Sequence, residues 1–146
     1  MIAAAFFHNI SIFFTIFLTC LGTGLGGGIA SAGALNALNI APSIKGDLMR
    51  LVILSLAIIE TGGIIGVIIA LIMLGQPTHV TNLYQIGIAE MGIALAIGIS
   101  GLIAGLVSAL PARQAFLSLA RQPFLASSIM NLLLITLSII QTPIIF

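Results

Sequence analysis

The scarcity of charge constrains this chain more than any other feature of its sequence. Its 146 residues include four Lys or Arg and three Asp or Glu, so 5% are charged and 60% are hydrophobic. Ordinary soluble domains have about 25% charged residues, because polar side chains must cover most of their surface. The composition therefore predicts an integral membrane protein. The few scattered cations exclude a nucleic-acid-binding surface, and a single cysteine, Cys20, excludes a disulfide scaffold.

Four apolar stretches are long enough to cross a bilayer, which requires about 20 residues each. They run approximately over residues 5–39, 48–74, 83–119 and 125–146. Pro42 and Pro123 separate the first from the second and the third from the fourth, because proline cannot continue a helix. The runs lack the alternation of a β-barrel. We therefore predict an all-α membrane protein with four transmembrane helices, the first of them a retained helix and not a cleaved leader.

The basic residues indicate how the helices are oriented. Lys45, Arg50, Arg113 and Arg121 all lie in or near the segments that join the first helix to the second and the third to the fourth. Cytoplasmic loops of membrane proteins are enriched in Lys and Arg. This pattern predicts that loops 40–47 and 120–126 face the cytoplasm.

The two halves of the chain repeat with an offset of 81 residues. Pro123 follows Pro42 by this distance, and Gln141 follows Glu60 by the same distance. The alignment needs no gap over residues 42–65 and 123–146. We therefore predict two tandem helical hairpins with the same orientation, one over residues 1–78 and one over residues 79–146.

Glycine is concentrated in the first helix, at Gly22, Gly24, Gly26, Gly27 and Gly28. Inside a membrane, small residues allow helix backbones to approach closely. Glycines at alternate positions cover several faces of a helix, so we expect this helix to pack tightly on more than one side. A single dimerisation face is the alternative.

Glu60 is the one acidic residue expected near the middle of the membrane, about 27 Å of helix beyond Pro42 at ~1.5 Å per residue. Burying a charge there costs roughly 2.5–3.5 kcal/mol on insertion scales. Because desolvation favours the neutral form of a carboxyl group, we expect Glu60 to be protonated when it faces lipid and to ionise when it meets water or a cation. This behaviour is typical of a reversible ion carrier. The alternative is a carboxyl that only hydrogen-bonds between helices.

The remaining acidic residues are interpreted as structural. Glu90, near the start of the third helix, is expected to be a solvated or interfacial charge, and His8 an interfacial residue. Asp47 is expected in the first turn of the second helix, where an acidic residue is favoured by the helix dipole.

The glycine-rich helix, the polar turn and the second helix with one carboxylate together resemble the c-subunit of the F-type ATP synthase, the proteolipid of rotary ATPases. The resemblance is most specific over residues 42–74, where Lys45-Gly46-Asp47 and residues 54–61 match the family's second helix. Arg121-Gln122-Pro123 matches its loop motif, although the first loop lacks the Arg-Gln pair. The duplication into four helices is similar to the proteolipids of V-type ATPases.

The resemblance implies a homo-oligomeric ring of many copies that carries ions past the a-subunit of the stator. Glu60 would load and release the ion, and the ring's rotation would be coupled to ATP synthesis or hydrolysis in the soluble head. The chain itself would not be catalytic and would need no metal or other cofactor. Gln141 would be a counterpart that cannot ionise. The loop residues expected to contact the central stalk are Pro42, Lys45, Arg121, Gln122 and Pro123, and the helix-packing residues are Gly22, Gly24, Gly26 and Gly28.

Alternatives remain open for the transported ion and for the class of membrane protein. Thr61, Gly24 and Gly27 are expected to surround Glu60. The resemblance implies that sodium-binding relatives hold the ion with a first-helix glutamine and a hydroxyl group. Thr61 offers the hydroxyl, but Gly27 stands at the glutamine position, which favours protons over sodium. A small four-helix transporter that uses Glu60, or a holin-like pore former, would be a non-rotary alternative. Five residues follow Gln141 where fourteen follow Glu60 as far as Leu74, so the fourth helix is expected to be a shortened spacer or part of a truncated chain.

Overall fold

Four long helices form the fold in a computed structural model that describes residues 2–75 and 83–145. The helices are α1 (Ile2–Ile40), α2 (Lys45–Leu74), α3 (Leu83–Arg121) and α4 (Ala126–Ile145). All four are long and apolar enough to span a membrane, which confirms the prediction of an all-α membrane protein. The hairpin boundary expected between residues 78 and 79 lies outside the described residues.

Short 3₁₀ turns join the helices of each hairpin at one end of the bundle, which we call the turn end. The turns cover Pro42–Ile44 and Pro123–Leu125. Ala41 and Gln122, which precede the prolines, have the extended φ values of −141° and −135°, because proline disfavours helical backbone in the residue before it. Both prolines therefore end a helix as predicted, and the two turns repeat the same geometry. Asp47 lies in the first turn of α2, which confirms its expected position.

The two hairpins lie side by side, and α1 packs mostly against α3. These two helices run parallel, and residues that contact each other are separated by 79 to 82 positions, which brackets the repeat offset. The contacting pairs are His8 with Glu90, Leu18 with Gly98, Gly22 with Leu102, Gly26 with Gly105, and Gly33 with Arg113. Equivalent residues of the two hairpins thus lie at nearly the same height, within about 3 Å along the helix axis.

The hydrophobic core is concentrated toward the turn end, where all four helices meet. Phe116, Leu51 and Leu137 are fully buried there, surrounded by alanines of α1 and α3. The outward faces of α2 and α4 carry exposed isoleucine and leucine side chains, such as Ile68 and Leu132. Exposed large apolar residues on this scale are typical of a surface that contacts lipid or further protein subunits.

Candidate functional site

Glu60 is an exposed carboxylate in the middle of α2, at the free edge of the chain. Its neighbour Ile59 is completely buried and anchors this turn of α2 in the core. Among the described residues, no hydrogen bond or ion pair joins Glu60 to another side chain. The single chain therefore anchors this turn of α2 in the core and leaves the Glu60 side chain exposed.

Gln141, the repeat counterpart of Glu60, lies in the opposite environment. It is 5% exposed, between α4 and the rest of the bundle. Its Nε2 donates a hydrogen bond of 3.2 Å to Ser108 Oγ of α3, while its Oε1 is buried and has no partner among the described residues. The same helix position is therefore in different environments in the two hairpins. Gln141 of hairpin two is buried against hairpin one, whereas Glu60 of hairpin one is exposed.

The residues expected to support Glu60 contribute little polar chemistry. The Thr61 hydroxyl donates a hydrogen bond of 2.6 Å to the Ile58 carbonyl of its own helix. A side chain added at Gly27 would meet Leu56 of α2, whereas one added at Gly24 would contact no other residue. Of these three residues, only Thr61 therefore offers a side-chain oxygen, and its hydroxyl hydrogen is donated to the backbone.

Glycines of α1 face two different directions. Gly22 and Gly26 lie against the α3 backbone so closely that an added Cβ would overlap Leu102 and Gly105, respectively. At Gly24 and Gly28, an added Cβ would find open space. The first pair joins the two hairpins, and the second pair faces away from the chain.

Glu90 is not the solvated charge that was one of its expected states. Glu90 is 6% exposed, and its Oε2 lies 2.7 Å from His8 Nδ1 of α1, in the only ion pair among the residues whose side chains are described. Its Oε1 is buried without a partner among those residues. The parallel packing of α1 and α3 causes this pairing, because it places positions 8 and 90 at the same height. The repeat offset was the signal, since residue 90 aligns with residue 9.

A line of buried hydroxyl groups continues from this pair along α1, and the sequence interpretation missed it. Ser11, Thr15 and Thr19 are completely buried, and each donates a hydrogen bond of 2.7–2.9 Å to a carbonyl of its own helix four residues earlier. Their spacing of four residues predicts a single helix face. Because each donor is satisfied locally, this face packs against α2 and α3 without requiring polar partners there.

The turn end carries the loop residues expected to contact other subunits. Pro42, Lys45, Arg121, Gln122 and Pro123 are all exposed. Phe124, beside them, is fully exposed. Among the described residues, no group of three or more His, Cys, Asp or Glu lies close enough to hold a metal ion.

Comparison with known sequences places the first hairpin in a family. The sequence model of the family described as the ATP synthase c-subunit matches residues 10–73, which include Glu60. The chain is 43% identical over 54 residues to the ATP synthase c-subunit of Alkaliphilus oremlandii. The aligned segment covers 37% of this chain and 61% of that relative. It is 39% identical over 56 residues to the ATP synthase c-subunit of Syntrophomonas wolfei. The aligned segment covers 38% of this chain and 78% of that relative.

Proposed function

Since the chain belongs to the family of ATP synthase c-subunits, we propose that it is the rotor-ring subunit of a proton-translocating rotary ATPase, with Glu60 as the ion carrier. The observation that carries this proposal is the exposed carboxylate at the middle of a membrane-spanning helix. Intramembrane carboxylates mark ion pathways by default. Glu60 crosses the lipid in its protonated, neutral form and exchanges its proton at the a-subunit of the stator.

The in-register packing of α1 on α3 supports a closed ring. A head-to-tail contact that is repeated generates a ring when its operation is a pure rotation, and a helical filament when the operation includes a translation. Because contacting residues such as Gly26 and Gly105 lie within two positions of the repeat offset, the operation that relates the two hairpins has an axial component of at most about 3 Å. Repeating it with further copies arranges α1 and α3 in an inner layer, with α2 and α4 outside.

Each chain then carries one ion for two hairpins. The Gln141 amide neither ionises nor transfers a proton at physiological pH, and its side chain is buried inside the chain. A ring with a given number of hairpins therefore moves half as many ions per turn as a ring with a carboxylate in each hairpin. This low ion-to-ATP ratio favours building a steep gradient by hydrolysis over making ATP from a shallow one.

Protons are favoured over sodium by the chemistry around Glu60. A sodium ion needs several oxygen ligands in addition to the carboxylate, as hard cations do generally. Of the residues expected around Glu60, Thr61 supplies one hydroxyl oxygen, which donates to the Ile58 carbonyl and keeps its lone pairs, and Gly27 has no side chain to contribute. A proton requires only the carboxyl group itself.

The turn end faces the cytoplasm and contacts the central stalk in this proposal. Loops 40–47 and 120–126 carry the exposed basic residues Lys45 and Arg121, in agreement with the positive-inside rule. Phe124, fully exposed beside Arg121, provides an aromatic anchor of the kind enriched in protein interfaces. The membrane is an energy-coupling one, such as the bacterial inner membrane.

Carbodiimide labelling of the purified oligomer tests the ion carrier. Dicyclohexylcarbodiimide reacts with protonated carboxyl groups in apolar surroundings, so one adduct per chain is expected, mapped by mass spectrometry to the peptide that contains Glu60. Glu60→Gln should abolish this adduct and ATP-driven proton pumping. Because Glu90 is a second carboxyl group, buried within the chain, peptide mapping is essential, and labelling at Glu90 alone would overturn the assignment. Protection of Glu60 from labelling by sodium would reverse the choice of ion.

Electron microscopy of the same preparation distinguishes the rotor from a small transporter. A ring with a central hole and many copies is expected. A monomeric or dimeric particle with pumping activity would instead support a four-helix ion-coupled transporter that uses Glu60.

A further inference from the structure

The contact between the two hairpins of one chain is formed by one face of α1 and one face of α3. On α1, the face includes Leu18, Gly22, Gly26 and Gly33. On α3, the residues that meet it are Gly98, Gly101, Leu102, Gly105 and Arg113. We call this the internal contact. The residues that meet in the internal contact are separated along the chain by nearly one repeat length. The internal contact is therefore also the contact between two consecutive hairpins of the repeat.

Each of these two faces has a counterpart on the other hairpin, found by moving 81 residues along the chain. The α1 face corresponds on α3 to Ile99, Ile103, Val107 and Gln114, which we call the trailing face. The α3 face corresponds on α1 to Phe17, Cys20, Leu21, Gly24 and Ala32, which we call the leading face. The trailing face is exposed at all four positions, and the leading face is exposed at all positions except Leu21, which is half-buried.

We infer that the trailing face of one copy packs on the leading face of the next copy, in the same axial register as the internal contact. This inference rests on the proposed ring and specifies which residues form its joints. It sets Ile103 of one copy beside Cys20 of the next, as Gly22 lies beside Gly101 within a chain. In the same way it sets Val107 beside Gly24, as Gly26 lies beside Gly105.

The leading face has the shape to receive these side chains. Next to Gly24 on α1 there is a groove of about 520 Å³ lined by apolar side chains and by Cys20. Its lining residues are Phe13, Ile16, Phe17, Cys20 and Leu21. Because Ile99 and Ile103 are about half exposed on the trailing face, each offers a branched side chain that fills such a groove. The occupant of the groove is therefore a second copy of this chain.

The same operation completes the surroundings of Glu60. Within the chain, Gln141 lies near Gly62 of the preceding hairpin, with its Oε1 3.7 Å from the position of a Cβ at Gly62. The counterpart of Gly62 is Pro143, so Glu60 of one copy lies beside Pro143 of its neighbour. The counterpart of Ser108, the partner of Gln141, is Gly27. Neither Pro143 nor Gly27 has a side-chain donor or acceptor, so the covered carboxyl lacks side-chain ligands from both positions.

The two kinds of joint are unequal. The internal contact brings glycine backbones together at Gly26 and Gly105, with no side chain between them. The joint between copies sets Ile103 and Val107 against the small residues Cys20 and Gly24. Because branched side chains separate helix axes further than glycines do, inner helices are more closely spaced within a chain than between chains.

Disulfide crosslinking tests the register with the native cysteine as one partner. Ile103→Cys, oxidised in the membrane with copper phenanthroline and oxygen, should link to Cys20 of the next copy and give a ladder of linked chains on a denaturing gel. Leu110→Cys is the matched control, because Leu110 is similarly exposed on the same side of α3 but lies about 10 Å further along the helix. Disulfides require Cα atoms within about 7 Å, so roughly tenfold less linkage is expected from this control.

The outcomes separate this inference from the proposed function. Cys20→Ser combined with Ile103→Cys should remove the ladder. Equal or greater linkage by Leu110→Cys, or no ladder from Ile103→Cys in a particle that remains a ring, would overturn the register while the rotor function stands. A monomeric or dimeric particle would overturn the proposed function itself.

Discussion

Replacing His8, one member of the His8–Glu90 pair, should destabilise the chain more than replacing Glu60 with leucine. The pair is 2.7 Å apart, with side-chain exposures of 16% and 8%, so an unpaired Glu90 carboxylate would have little access to water. Breaking a buried ion pair by removing one partner costs about 3–5 kcal/mol. Because both side chains keep slight exposure, we expect His8→Leu to cost about 3 kcal/mol of unfolding free energy, at the lower end of that range.

The partner substitution should be milder. Glu90→Leu removes the carboxylate itself, so no buried carboxylate is left unpaired, and the imidazole that remains is 16% exposed. The double variant His8→Leu with Glu90→Leu removes both charges and should lie close to the unsubstituted chain, since apolar replacements of a buried pair are often neutral.

Unfolding in mixed micelles with increasing mole fraction of sodium dodecyl sulfate, followed by circular dichroism, measures these differences. Glu60→Leu is the matched control: it removes a carboxylate that is exposed and unpaired in the single chain, so its effect on chain stability should be within about 0.5 kcal/mol. The reasoning is refuted if His8→Leu is as stable as this control, or if the two single penalties simply add in the double variant.

Three further substitutions have expected outcomes. Gly26→Ala should lower chain stability by about 1–3 kcal/mol, as overpacking does, because its Cβ overlaps the Gly105 carbonyl; micelle unfolding checks this, with Gly24→Ala as the harmless comparison. Gln141→Glu should add a second carbodiimide adduct per chain in peptide mapping, because it restores a carboxyl at the repeat position. Thr61→Val should leave proton pumping nearly unchanged, since the Thr61 hydroxyl donates to a carbonyl of its own helix and a proton needs no ligand besides the carboxyl group; sodium-stimulated ATPase activity that is lost in this variant would contradict the assignment.

Local rules predicted the helices well, because each boundary depends on few residues. The apolar runs are long, and Pro42 and Pro123 end helices through their own sterics. The repeat was readable for the same reason: Glu60 and Gln141 lie at fixed distances from those prolines. The helix ends differ from the expected ones by a few residues, as at Lys45, where α2 begins three residues before the expected start at 48.

Interactions between helices were harder to predict, because they depend on which faces meet. The position of Glu90 near the start of the third helix predicted a solvated or interfacial charge, yet the parallel register of α1 and α3 buries it beside His8. The opposite exposures of Glu60 and Gln141 likewise depend on hairpin two packing on one side of hairpin one. The glycines predicted close packing, but only the fold distinguishes Gly26, which contacts α3, from Gly24, which does not.

The alternation of an exposed Glu60 with a buried Gln141 also sets the mechanical behaviour of the proposed rotor. One carboxylate per two hairpins means that each ion turns the ring through twice the angle between adjacent hairpins. The electrical work per monovalent ion is fixed by the membrane potential, at about 2.3 kcal/mol per 100 mV. Spread over a doubled angle, that work gives half the mean torque. When ATP hydrolysis drives rotation, a head that delivers a given torque can move each ion against about twice the membrane potential. Replacing one of two carboxylates with a buried glutamine thus doubles the work available for each ion and halves the number of ions moved per turn.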